Sequence, residues 1–171
     1  KINLPSSLSQ VGLQAFQNCG LTELTLNEGL VILEEKAFAD NRFTSVVIPS
    51  TVTSMHPNSL NSCYLQEYIV NDHELYSVYE CALYSKDLTK LISCPNGLND
   101  YQFIIPEFVT TIGSYAFDYS QRLKRIVIGS NVTTLESNGF YNLYGIEEVC
   151  NLSSLDIVAS TSLDYYANRL T

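Results

Sequence analysis

The pair Ala15-Phe16 returns as Ala37-Phe38, as Ala116-Phe117 and, altered, as Gly139-Phe140. Ser59-Leu60, Ala82-Leu83 and Ser162-Leu163 occupy the remaining beats. The second member of each pair steps through 16, 38, 60, 83, 117, 140 and 163, at intervals of 22, 22, 23, 34, 23 and 23. A period of this length belongs to a solenoid, in which each unit buries its apolar face only against its neighbours. Solenoids mostly present an extended surface to a partner. The spacing therefore points to binding as the kind of job and leaves the ligand unnamed.

Each unit has two textures. Leu21, Leu24 and Leu26 end in the alternation of a short strand, matched by Ile126 and Ile128 in a later copy. Pro5, Asn27, Pro49, Asn71, Pro106 or Gly129 follows and stops the strand. The next stretch, such as Val109 to Phe117, has apolar residues three to five apart and is too short for a free helix. It predicts a helical turn or 3-10 segment. The expected fold class is α/β: a right-handed leucine-rich-repeat solenoid. One parallel β-sheet forms one face and short helical or 3-10 turns form the other. Residues 1–171 read as one domain of about seven repeats, with an elaborated repeat at about 71–105.

The phrase Ile105-Pro106, Val109, Ile112, Ala116-Phe117, Ser120, Leu123, Ile126 resembles the BspA-like leucine-rich repeats of bacterial cell-surface proteins. The stretch Tyr76 to Ile92 is similar to an elaborated repeat of that family, with Glu80-Cys81 where the family usually has Asp-Gly. The resemblance covers essentially the whole chain. It implies an extracellular or surface-anchored bacterial protein, secreted and used in adhesion or host contact. It supplies no catalytic residues.

Composition agrees with a binding protein. Apolar residues make up 46% of the chain, enough for a core. Eighteen acidic against nine basic residues give a formal charge of −9. That argues against partners recognised through phosphate, both nucleic acid and anionic lipid. No apolar run is long enough to span a membrane. Ile2-Asn3-Leu4-Pro5 aligns with Val46-Val47-Ile48-Pro49, so the chain opens inside a strand. It closes on Tyr165 to Thr171 where another repeat would begin, and is expected to be a piece of a longer protein.

Five cysteines are too sparse for a disulfide scaffold. Cys19 and Cys63 share a repeat position, with Asn41 between them, and read as small core residues of a ladder. Cys81, Cys94 and Cys150 lack metal-ligand spacing. A single Cys81–Cys94 bridge is compatible with the elaborated repeat, although reduced thiols fit better. His56 reads as a solvated turn residue, and His73 lies in a different repeat. The pairs Glu34-Glu35 and Glu147-Glu148 read as solvated surface. No phosphate loop, nucleophile elbow or zinc motif occurs. We expect no enzyme, no cofactor and no metal. Asn131-Val132-Thr133 and Asn151-Leu152-Ser153 fit the glycosylation pattern, incidentally for a bacterial protein.

Alternation then assigns an outward face. Thr25, Val47, Ile69, Ile104, Val127 and Cys150 form an apolar column. Glu23, Ser45, Glu67, Gln102, Arg125 and Glu148 form a polar one beside it. β-Branched residues suit exposed strands on structural grounds alone. As a functional feature, an apolar stripe with a polar border is a docking patch. The expected function is a non-enzymatic surface module that binds a protein or glycan. A passive spacer, or a repeat array accompanying a distant catalytic domain, are the other readings.

Overall fold

The computed structural model describes residues 1–62 and 64–157. Cys63, the Ser162-Leu163 beat and the Tyr165–Thr171 segment lie outside them. The strands in chain order are β1 (Gln10–Val11), β2 (Ile32–Leu33), β3 (Ser45–Ile48), β4 (Ser54–Met55), β5 (Glu67–Val70), β6 (Tyr76–Tyr79) and β7 (Ala82–Ser85). They continue as β8 (Lys90–Ser93), β9 (Gln102–Ile104), β10 (Thr111–Ile112), β11 (Arg125–Ile128), β12 (Thr134–Leu135) and β13 (Glu148–Asn151). Two series of parallel strands run along the solenoid, where the sequence predicts one. The first series holds β3–β5 and β9–β11–β13; the second holds β1–β2–β4 and β8–β10–β12. The register equals the sequence period: Gln10 pairs with Ile32, Ser45 with Glu67, and Arg125 with Glu148. Each strand of the second series is short, and Val11, Leu33, Leu91 and Ile112 are its buried inward residues.

The opposite wall corrects the expected helical turns, since the described residues contain no helix. Around the Phe16 column position, the N–H groups of Gln14, Phe16 and Asn18 donate to the carbonyls of Glu35, Ala37 and Ala39 in the next repeat. The N–H groups between them, Ala15 and Gln17, donate locally to Gly12 and Gln14. A helix would spend every N–H within its own turn. Here alternate groups point along the solenoid axis, which requires residues of opposite hand. Residues two before and two after each phenylalanine accordingly have positive φ: Gln14 and Asn18, Lys36 and Asp40, Tyr115 and Tyr119, Asn138 and Asn142. Several are Asn or Asp, which tolerate that region best.

Inside this ribbon Phe38, Phe117 and Phe140 are fully buried. Phe16 stacks on Phe38 with ring centroids 5.1 Å apart, and Phe117 on Phe140 at 5.4 Å. Phe16 itself is only half-buried among the described residues. Cys19 is exposed rather than a core residue. Asn41, one repeat on, is buried and donates to the Phe16 and Phe38 carbonyls.

The elaborated repeat breaks the pattern. Ala82-Leu83 does not occupy the Ala-Phe position; it lies on β7, paired antiparallel with β6 and β8. Cys94 fills the column instead. Its N–H donates to the Ala116 carbonyl as that of Phe117 donates to Gly139. The Glu80-Cys81 turn joins β6 to β7, with Glu80 at φ 55°. Strand β7 is buried on both faces and separates two cores: Leu83 packs with Phe38 and Leu60, while Ala82 and Tyr84 pack with Phe117 and Ile112. Beyond it a buried polar seam ties the two halves of the solenoid. Asp118 accepts from Asn61 Nδ2 at 3.0 Å and from Asn142 Nδ2 at 2.9 Å, and its backbone carbonyl accepts from Asn96. Burial pushes its carboxyl up to about 6; the two amide donors and Lys36 lower it, and Asp40 raises it. Gly97 crosses this seam so closely that a Cβ would sit 2.4 Å from the Tyr64 carbonyl carbon.

Two outcomes follow from this packing. Phe38→Ala should cost about 3–5 kcal/mol, as for other buried aromatics, read from the urea midpoint. Asp118 binds its proton more tightly folded than unfolded. Its contribution is therefore greatest below the unfolded carboxylate pKa and is lost as pH rises towards about 6. Denaturation at about pH 5 and about pH 7.5 should show stability falling by about 1.4 kcal/mol more in the parent than in Asp118→Asn.

Candidate partner-binding face

Strand alternation places the expected outward residues as read. Val46 and Ile48 are buried and Val47 between them is 45% exposed; Phe103 and Ile105 are buried and Ile104 is 57% exposed. Val127, Ile69 and Cys150 are half-buried. Val47 faces Ile69 across β3–β5, and Val127 stands between Ile104 and Cys150 across β9–β11–β13. Thr25 is exposed and follows Leu24, which pairs with Ile2 in an isolated bridge. The inward positions Val70 and Val149 are half-buried against the two cores. The polar column is tied along the solenoid axis. Glu23 meets Lys1 at 3.3 Å, and Arg125 Nε lies 2.9 Å from Glu148 while Nη1 donates to Gln102. Glu67 is exposed.

The structure does not bring the apolar column together as one stripe. Strands β5 and β9 are not paired. Between the β6–β7 turn and β9 opens a cleft of about 580 Å³, lined by Tyr79, Glu80, Cys81, Asp100, Tyr101 and Ile104 among others. Sequence reasoning missed it, although the 34-residue interval marks its place.

Other candidates resolve into structure. Cys81 and Cys94 are free thiols, not a bridge. Burial pushes both thiols up, and the carboxylates of Glu80, Asp100 and Glu67 add to the effect at Cys81. Thiols held protonated are poor nucleophiles at neutral pH. His56 is half-buried rather than solvated, with Nδ1 2.6 Å from Asn58 Oδ1. Buried His73 accepts the Leu75 N–H at 3.0 Å and its ring lies against Tyr76. Glu34 also departs from the solvated reading, accepting the Leu13 N–H of the preceding repeat at 2.8 Å. Glu136 does the same for Ser114, at 2.9 Å, while its other oxygen meets Lys90 at 2.6 Å. Among the described residues no three His, Cys, Asp or Glu side chains converge as metal ligands. No helix there is long and apolar enough to cross a membrane.

Residues 1–103 and 96–168 match the profile of the BspA type leucine rich repeat region, in six copies. Among solved structures, a leucine-rich repeat protein from Eubacterium ventriosum ATCC 27560 superposes with a TM-score of 0.75 at 23% identity. The match covers 92% of this chain and 49% of that one. A leucine rich cell surface protein from Faecalibacterium prausnitzii A2-165 gives 0.72 at 27% identity, covering 86% and 40%. The pneumococcal vaccine antigen PcpA gives 0.74 at 26%, covering 86% and 38%. The chain thus spans less than half the length of each. No curated protein matches the sequence.

Proposed function

The chain belongs to the BspA-type leucine-rich-repeat family, and on that premise we propose that it is a non-enzymatic, extracellular or cell-surface module that binds a protein or glycan. The observation that carries this reading is the exposure of Val47 on the β3–β5 face and of Ile104 on the β9–β11–β13 face. Exposed apolar residues bordered by charge, as on each of these two faces, are the anatomy of a docking patch. Two similar structures are described as a cell surface protein and a vaccine antigen, which supports a surface location. None of the similar proteins carries an enzymatic name.

A spacer role is the second reading, favoured by the pairing of Arg125 with Glu148 and of Lys1 with Glu23 along the axis. Exposed pairs of this kind contribute roughly 0–1 kcal/mol each and suit a face with no partner.

Screening the chain against arrayed surface proteins and glycans separates the two. Val47→Ser with Ile69→Ser should leave the fold within about 1 kcal/mol of the parent, because both side chains point away from the core. The same variant should lose about tenfold or more in affinity for an arrayed ligand. Unchanged affinity with an intact fold would favour the spacer. Loss of the fold would show that Val47 and Ile69 are structural.

A further inference from the structure

We propose that the cleft between the Tyr79–Cys81 turn and β9 receives an extended, lysine- or arginine-bearing peptide segment, which adds as a strand to the open edge of β9. The inference rests on the binding reading above and identifies a partner chemistry for one part of that face.

The hydrogen-bond phase of β9 shows which edge is open. Arg125 N–H donates to the Tyr101 carbonyl and Ile105 N–H to the Val127 carbonyl, both at 2.9 Å. In a parallel pair, alternate residues serve opposite neighbours. The N–H and C=O groups of Gln102 and Ile104 therefore point away from β11, into the cleft. They have no backbone partner among the described residues. Strand β5 differs, because its Tyr68 N–H is taken by the Cys81 carbonyl at 3.2 Å. The elaborated repeat thus caps one side of the break and leaves the other unpaired. A sheet edge of this kind is what an extended peptide adds to, with main-chain bonds for affinity and alternate side chains for specificity. Pro106 ends the edge after Ile105, so the docked segment is short.

Charge and exposure select the occupant. Glu80 and Asp100 line the cleft, Glu67 lies near enough to raise the Cys81 thiol, and no lysine or arginine lines it. Tyr79, Tyr101 and Ile104 expose apolar surface around the same edge. The complementary chain alternates basic and apolar residues, as Lys-Val-Lys-Val-Lys does.

The test uses that capped pentapeptide and monitors backbone amide exchange and chemical shifts by NMR. Binding should slow exchange at Gln102 and Ile104 and leave Phe103 and Ile105, already bonded to β11, unchanged. A peptide N-methylated at the residues facing β9 should fail to bind. Glu80→Gln with Asp100→Asn, confirmed folded by its denaturation midpoint, should weaken affinity about tenfold. The Val47→Ser, Ile69→Ser variant should bind the pentapeptide as the parent does. No binding, equal binding of the N-methylated peptide, or binding without protection at Gln102 and Ile104 would overturn the proposal. Any of these, alongside array binding that still depends on Val47 and Ile69, would leave the broader binding role standing.

Discussion

Hydrogen bonds directed along the solenoid axis govern this molecule. A repeat of some 22 residues has no interior of its own. Its strand groups are satisfied by the repeats on either side, and every second N–H of its turn by the next repeat. Left-handed residues flanking each phenylalanine cost roughly 1 kcal/mol each. The inter-repeat bonds they permit, with the aromatic stack they enclose, offset that cost. Side chains repeat the theme: Asn41 bonds the carbonyls of two repeats, and Glu34 and Glu136 reach back to the turn before them.

Such a lattice is intolerant of a change in period, and the elaborated repeat makes one. The extra hairpin interrupts both strand series at the same level. Strand β7 takes over as a shared wall between two cores, which explains why both its faces are apolar. On the turn side, where Pro95 and Asn96 replace the usual aromatic turn, polar groups close the junction. Asn61 and Asn142 converge on a buried carboxyl, whose charged form burial disfavours.

The outward face inherits both features. Within β3–β5 and β9–β11–β13 the period holds, so apolar and polar residues form true columns with cross-strand partners. At the break the columns part and the backbone of β9 is laid open beside carboxylates. Two of the eighteen acidic residues, Glu80 and Asp100, line that cleft.

The period, the inward alternation of Val46, Ile48, Ile126 and Ile128, the burial of Phe38, Phe117 and Phe140, and the family were all legible in the sequence. Each is a local pattern repeated, and repetition makes a weak local signal strong. The form of the turn wall was not, because apolar spacing of three to five residues fits a helical turn and an alternating-hand ribbon alike. What separates them is where Phe16 and Phe117 N–H groups go, and their acceptors, Ala37 and Gly139, lie a whole repeat away. Nor could sequence place Leu83, which keeps the beat by number but sits on an antiparallel strand, or Cys94, which stands the regular 23 residues before Phe117 and fills the column without an aromatic ring. The cleft at β9 and the Asp118 seam exist only because the two halves of the solenoid meet across the elaborated repeat. Contacts such as Asn61 with Asp118 join residues with no periodic relation, so tertiary structure alone decides them.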